Sequence, residues 1–313
     1  MRAVRIEESK PRLVDIEKPE GRGVLIKVGS VSICGSDLHM IQQGIVEGAV
    51  LGHELAGTTP DGRAVAVEPF FGCGGCNLCD EGFNALCSKS RFIGGSRPGG
   101  MAEYVRVPES TLVPLPSGMP LEVASLVEPM AVAFHGLNQA RVTAHDRVLV
   151  VGAGAIGLAV AAALKSRGIA CDIVTRYPAQ RTVAEALGAN PDPGEGYDVA
   201  IDAVGNTSSV ADCVERVKPR GRISMVGCFW DPTEIPMTFC TKEQEMIASY
   251  TYKCRRPGRT FEEAASALAA DRSIADTLIT HRYPLEGAEE AFGTAADRAS
   301  GAIKVVFDVS RGQ

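Results

Sequence analysis

Four cysteines, Cys73, Cys76, Cys79 and Cys87, fall within fifteen residues in the spacing C-x2-C-x2-C-x7-C. Thiolates this close can wrap one tetrahedral ion, and four sulfurs leave no position open for a substrate, so the spacing predicts a structural zinc. An iron–sulfur cluster is the competing use of such a quartet. A second stretch able to do chemistry is VLVVGAGAIG, residues 148–157, which places Gly152, Gly154 and Gly157 in the G-x-G-x-x-G spacing. Val148 to Val151 read as a strand and Ile156 to about Arg167 as an Ala-rich helix. The turn between them, with Ala155 and Ile156 between its glycines, lets backbone approach a pyrophosphate at the helix N-terminus. A dinucleotide site is expected there.

The next strand, Asp172 to Thr175, ends where an NAD site places an acidic side chain against the ribose hydroxyls. Thr175 is followed instead by Arg176, and Arg181 lies five residues further on. Two guanidinium groups suit bidentate phosphate contact, which favours NADP, with NAD as the alternative. Asp172 opens the strand, which puts its carboxylate too far away to serve the ribose. The plain alternative for the two arginines is a pair of solvated side chains at the start of a surface helix.

Elements must hold these residues in place, and the chain is long enough to supply them. Its 313 residues, 45% hydrophobic, suffice for two cores. The formal net charge of −6, with no basic run, argues against nucleic acid and against a polybasic membrane contact. No stretch approaches the ~20 apolar residues of a membrane span. The opening MRAVRIEESK is too charged for a signal peptide, so a cytoplasmic location is expected. There, ten cysteines are read as metal ligands and small buried hydrophobes rather than disulfides; Cys171, Cys213, Cys228, Cys240 and Cys254 are assigned to cores. Alternating apolar and polar residues in 1–6, 12–16, 23–33 and 101–107 predict short strands of a β-rich domain. From residue 121 onward the pattern turns helical. Strands at 148–151, 172–175, 198–203 and 222–226 then alternate with helices, which implies a parallel sheet. The chain closes on IKVVFD, a strand returning to the first domain.

Cys34, His53, Glu54 and Glu128 each have an ordinary reading, as core thiol, buried imidazole and surface carboxylates. Taken with Cys34-Gly35-Ser36-Asp37-x-His39, Gly52-His53-Glu54, the cysteine quartet, Glu128-Pro129, the glycine turn and Thr280-His281-Arg282, they form a collinear set over nearly the whole chain. That set resembles the zinc-dependent medium-chain dehydrogenase/reductase family, on its sorbitol and threonine dehydrogenase branch. The resemblance implies an α/β chain with a GroES-like catalytic domain (1–129, zinc lobe 70–90), a Rossmann doubly wound parallel sheet (130–251) and a segment 252–313 returning to the catalytic domain. It implies a catalytic zinc on Cys34, His53 and either Glu54 or Glu128, hence two zinc ions per chain, with the active site in a cleft between the domains. It also implies a small alcohol or carbonyl substrate and a homodimer or homotetramer through the sheet edge. Hydride leaves an alcohol carbon readily only when its oxygen is nearly an alkoxide. A zinc ion that lowers the pKa of bound water from ~15.7 to ~7, roughly 12 kcal/mol, is the strongest stabilisation available for that oxygen. Ser36 and His39 are then assigned to a proton route, Asp37 to orienting His53, and Arg282 to facing the substrate or metal. His135 is expected to pack, as are Phe229 and Trp230, although these two aromatics could also border the nicotinamide.

Two departures from the family pattern stand out. Only the turn Thr59-Pro60-Asp61-Gly62 lies where a longer hairpin is usual, and residues 189–196, ANPDPGEG, leave no room for a strand-plus-helix unit. A trimmed sheet with a missing or rudimentary edge unit is expected. The competing functions are a carbonyl or quinone reductase without catalytic metal and a non-catalytic, cofactor-binding redox sensor.

Overall fold

The computed structural model describes residues 1–309. It divides into two units: Met1–Glu128 together with the described residues from Lys253 onward, and Pro129–Tyr252.

The first unit opens with the antiparallel pair β1 (Arg2–Glu7) and β2 (Lys10–Asp15). There follow β3 (Val24–Ser32), α1 (Gly35–Gln42), β4 (Glu54–Thr58), β5 (Ala64–Val67), β6 (Phe70–Phe71), α2 (Asn77–Glu81), β7 (Arg91–Phe92), β8 (Tyr104–Val107) and β9 (Leu112–Pro114). The β4–β5 hairpin closes through Thr59–Gly62, where the Gly62 N–H donates to the Thr59 carbonyl at 2.9 Å. A tight turn therefore does suffice where a longer hairpin is usual. Helix α3 (Val127–Gln139) carries Glu128 and runs past the boundary between the units.

In the second unit β10 (Val148–Val151), α4 (Ala155–Ser166), β11 (Cys171–Val174), α5 (Pro178–Ala186), β12 (Tyr197–Asp202), α6 (Thr207–Arg216) and β13 (Val217–Met225) alternate as expected, and α7 (Thr238–Thr241) and a further strand, β14 (Glu245–Ala248), follow where no strand was expected. The strands lie in the order β11-β10-β12-β13-β14, every pair parallel. All four residues of β10 are buried, as in a parallel strand covered on both faces.

The trimming is visible at the β11 edge. Residues 187–196 connect α5 directly to β12, and a one-residue parallel bridge between Asp172 and Asn190 is all that stands beyond β11. Side-chain hydrogen bonds tie this connection to β11. The Tyr197 hydroxyl donates to Asp172 at 2.5 Å and accepts the Gly194 N–H at 2.8 Å. Asn190 donates to the other Asp172 oxygen at 2.9 Å, and the Arg147 guanidinium sits 4.9 Å from the Tyr197 ring centre.

The return segment adds α8 (Thr260–Ala270), α9 (Arg272–Leu278), β15 (Ile279–Tyr283), α10 (Ala288–Ala296) and β16 (Lys304–Asp308). Strand β16 lies antiparallel to β3, with Val306 opposite Ser32, and parallel to β15. The sheet of the first unit thus reads β15-β16-β3-β4-β5-β9, with β8 also on β3. Val28, Val31, Leu55, Val67 and Phe307 fill its core, each burial contributing ~1.5–3 kcal/mol.

Cys171 and Cys213 are buried as expected, whereas Cys254 is only half-buried. Cys228 and Cys240 are exposed, which corrects their assignment to the core. They lie in the loop after β13 and in the four-residue α7, where an apolar run has no sheet above it.

Candidate active site and cofactor turn

Cys34 is the N-cap of α1, and its backbone N–H donates to the Asp37 carboxylate at 3.0 Å. The Cys-Gly-Ser-Asp sequence thereby closes half of a capping box and fixes where the thiol starts. The other oxygen of Asp37, fully buried, stands 3.4 Å from Nδ1 of His53. Ring atom Nε2 of His53 faces the Ser36 hydroxyl at 3.4 Å. Burial disfavours the imidazolium, but the charges of Asp37 and Cys34 outweigh that and hold the His53 pKa well above its ordinary value. Against the ring lies Phe92, centroid to centroid 5.1 Å, itself stacked on Phe70 at 4.4 Å.

Ligand atoms of Cys34, His53 and Glu54 all lie within 4.8 Å of one another. The two glutamates that the sequence left undecided have different surroundings. Glu54 is fully buried and already has a cation: Lys304 Nζ lies 2.7 and 2.8 Å from its two oxygens, and the Ser32 hydroxyl also donates to it. Burial opposes the Glu54 charge, yet Lys304 and His53 hold its pKa below the usual value. Glu128, 6% exposed, has neither a hydrogen bond nor an ion pair among the described residues. Burial pushes its pKa up to about 8, His53 opposing and Glu54 adding to the rise. A buried carboxylate without a partner is expensive unless a cation meets it. The thiolate, the imidazole and this carboxylate make a donor set that fits zinc.

Lys304 and Ser32 are members of this site that sequence reasoning missed. A lone lysine within the otherwise apolar IKVVF was the available signal. Ser36 and His39 lie three apart on α1, hence on one face. Arg282 donates to the carbonyl of Glu122 at 2.8 Å, so its hydrogen bond holds the 3-10 turn that leads into Glu128. His135 is buried.

The quartet is assembled. Cys73, Cys76, Cys79 and Cys87 converge within the same 4.8 Å limit, with Cys76 Sγ 3.5 Å from Cys79 and 3.8 Å from Cys87. Sulfurs bound at ~2.3 Å around one tetrahedral zinc stand about 3.8 Å apart, which these separations match. Backbone N–H groups of Cys73 and Lys89, each 3.4 Å from Cys87 Sγ, bring its pKa down to about 6, ready to bind as thiolate.

In the second unit the glycine turn has the required shape. A Cβ on Gly157 would stand 1.7 Å from the Gly152 carbonyl oxygen, so only glycine lets the helix sit this close to the strand end. At Gly154, the N-cap of α4, a Cβ would meet nothing within 4 Å, the open approach a pyrophosphate needs. Thr175 and Arg176 follow β11, with the Arg176 N–H held by Gln180 at 3.0 Å and its guanidinium 5.6 Å from the Tyr177 ring centre. Arg181 is engaged elsewhere: Asp192 takes both its terminal nitrogens at 2.9 and 2.6 Å, and Glu185 a third contact at 3.1 Å. Of the two arginines expected to meet a phosphate, Arg176 is the one not already neutralised by a carboxylate. Asp172 faces Tyr197 and Asn190.

A family model for the alcohol dehydrogenase GroES-like domain matches residues 20–117, and one for the glucose dehydrogenase C-terminus matches residues 121–309. L-Idonate 5-dehydrogenase (NAD(P)(+)) of Escherichia coli (strain K12) is 32% identical, over 91% of this chain and 92% of that one. L-Arabinitol 4-dehydrogenase of Aureobasidium melanogenum is 31% identical, over 96% and 92%. Galactitol-1-phosphate dehydrogenase from Escherichia coli superposes with a TM-score of 0.89 at 26% identity, covering 98% of this chain and 100% of that one. No helix among the described residues is long and apolar enough to cross a membrane. With its GroES-like sheet, its parallel dinucleotide sheet and these relatives, the chain belongs to the zinc-dependent medium-chain dehydrogenase/reductase family of oxidoreductases.

Proposed function

We propose that the chain moves a hydride between a secondary alcohol of the polyol or sugar-acid class and NADP(H), with NAD as the alternative cofactor. The observation that carries this reading is the convergence of Cys34, His53 and Glu54 within 4.8 Å, with the buried Glu128, which has no hydrogen-bond partner among the described residues, close enough to His53 and Glu54 for their charges to act on it. Those three residues are the proposed ligands of the catalytic zinc. Glu54 is nearer to the thiol and ring, but its charge is already matched by Lys304, and we assign it to balancing the site. Zinc bound there supplies a Lewis acid that makes an alcohol oxygen acidic near neutral pH.

The chain's own residues do the rest. Asp37 fixes the orientation of His53 from the Nδ1 side, leaving Nε2 for the metal. Ser36 and His39 pass the released proton outward along one face of α1. Gly152, Gly154 and Gly157, with the N–H groups of Ala155 and Ile156 at the start of α4, hold the cofactor pyrophosphate. Thr175 and Arg176 meet the ribose end, the guanidinium taking the 2′-phosphate. The quartet holds the second, structural zinc. Strand β14 ends the parallel sheet with an unpaired edge, which we assign to a homo-oligomer contact, tested by solution mass.

Initial rates with NADP and NAD across secondary alcohols, alditols and aldonic acids test the reading. At least tenfold preference for NADP, lost in Arg176→Ala, is expected, since a charged phosphate contact is worth more than ~1.4 kcal/mol. Equal or better rates with NAD remove the Arg176 assignment. A zinc content of one or none per chain removes the catalytic site.

A further inference from the structure

The loop between Cys79 and Cys87 also grips the chain just beyond Tyr252, where the polypeptide leaves the second unit. The Cys254 N–H donates to the Gly82 carbonyl at 2.8 Å, and the Cys254 thiol is half-buried. Arg255 donates to the Asp80 carbonyl at 3.0 Å and stands 3.4 Å from the Asp80 carboxylate. The fit is close. Gly82 has φ +88, and a Cβ there would stand 2.7 Å from the Arg255 Cβ and 2.8 Å from its nitrogen.

Both gripping residues, Asp80 and Gly82, lie between two cysteines of the quartet. Helix α2, which carries Asp80, has five residues and cannot hold its shape unaided. The positions of the 80 and 82 carbonyls are therefore set by the thiolates on either side. From this, and resting on the quartet as a zinc site, we propose that metal occupancy of the lobe controls docking of the return segment, residues 253–258. With zinc bound the loop presents its carbonyls and the segment is held; with zinc lost the segment undocks while the strands of the first unit stay folded. The released stretch ends at Arg259, whose guanidinium holds the buried Glu68 at 2.8 and 2.7 Å from outside the loop. Docking and metal binding are linked reciprocally, so a defect in the grip must weaken zinc retention by the same factor.

Hydrogen exchange on the full-length protein tests this, comparing the zinc-loaded native chain with Cys73→Ser, which removes a ligand outside the gripping loop. Metal analysis of both comes first, and a native chain with no lobe zinc overturns the zinc reading itself and the proposal with it. Once loss of the lobe ion is verified in the variant, exchange at residues 253–258 should rise about tenfold or more, with β3, β4 and α8 unchanged. Unchanged exchange at 253–258 overturns the proposal, and so does an equal rise across β3 and β4, which reports unfolding. Arg255→Ala keeps all four thiolates and should weaken the equilibrium affinity of the lobe for zinc, read as partition against a competing chelator, about fivefold. An unaltered equilibrium partition overturns the proposal even if Cys73→Ser does not fold.

Discussion

The two donor clusters of the first unit are built on opposite plans. The quartet comes from one loop, its members at most fourteen positions apart, and consists of four like sulfurs. The other cluster draws on the cap of α1, the residue before β4, the first turn of α3 and the closing strand β16. Its Glu54–Lys304 pair spans 250 positions. A local all-thiolate cage completes itself and leaves nothing for a substrate. The dispersed set exists only when the sheet is closed, and it mixes a sulfur, a ring and carboxylates of unequal charge state. The difference teaches that a buried carboxyl without a partner among the described residues, rather than number of donors, marks the centre we propose as reactive.

The severest way to break the comparison is Cys34→Ser. Turnover should fall at least ~10³-fold while zinc drops from two per chain to one; steady-state rates with metal analysis check this, and near-native turnover would dissolve the contrast. Cys76→Ser should do the reverse. It should lower the thermal midpoint by about 5–10 °C while the folded fraction keeps its turnover within about twofold. The two glutamates sharpen the contrast within one site. Glu54→Gln leaves Lys304 buried without its carboxylate, and denaturant titration should show a loss of ~3 kcal/mol. Glu128→Gln should instead weaken retention of the catalytic zinc about 10–100-fold by competition with a chelator.

The smallest effect concerns Glu68. Burial raises its pKa to about 7 despite Arg259, whereas Lys304 keeps Glu54 low. An unfolded chain releases this proton near pH 4.5 and the folded one keeps it to about 7. The folded form thus binds more protons in that window, and stability should fall as pH rises through it, by at most ~1.4 kcal/mol per pH unit. Glu68→Gln should flatten that slope in unfolding curves collected from pH 4.5 to 7.5.

Much of this was legible in the residues. The quartet and the glycine turn declare themselves because their chemistry is contiguous, and β10 to β13 could be read from their apolar residues, whereas the short β14, Glu245–Ala248, with both ends exposed, gave no such signal. Proline and glycine in ANPDPGEG gave away the shortened edge. Other features depend on partners distant in sequence. Nothing local says that Lys304 reaches Glu54, that Asp192 neutralises Arg181, or that Arg282 spends its hydrogen bond on the Glu122 carbonyl. Each is a long side chain with several reachable acceptors, and only the closed fold selects one. Cys228 and Cys240 misled because apolar neighbours in sequence do not guarantee a cover in space.

The direct passage from α5 to β12 bears on how the second unit assembles. Chain-closure entropy grows only as the logarithm of length, ~0.6 kcal/mol per doubling, so a shorter route between β11 and β12 changes the ease of meeting very little. What it changes is which groups meet at the rim: the buried Tyr197 hydroxyl, the exposed Asn190 amide and the half-buried Asp172 carboxylate. That rim gains its strength from directional bonds whose partners must all be present together, so loss of a single oxygen atom there, as in Tyr197→Phe, should be felt along the whole outer strand.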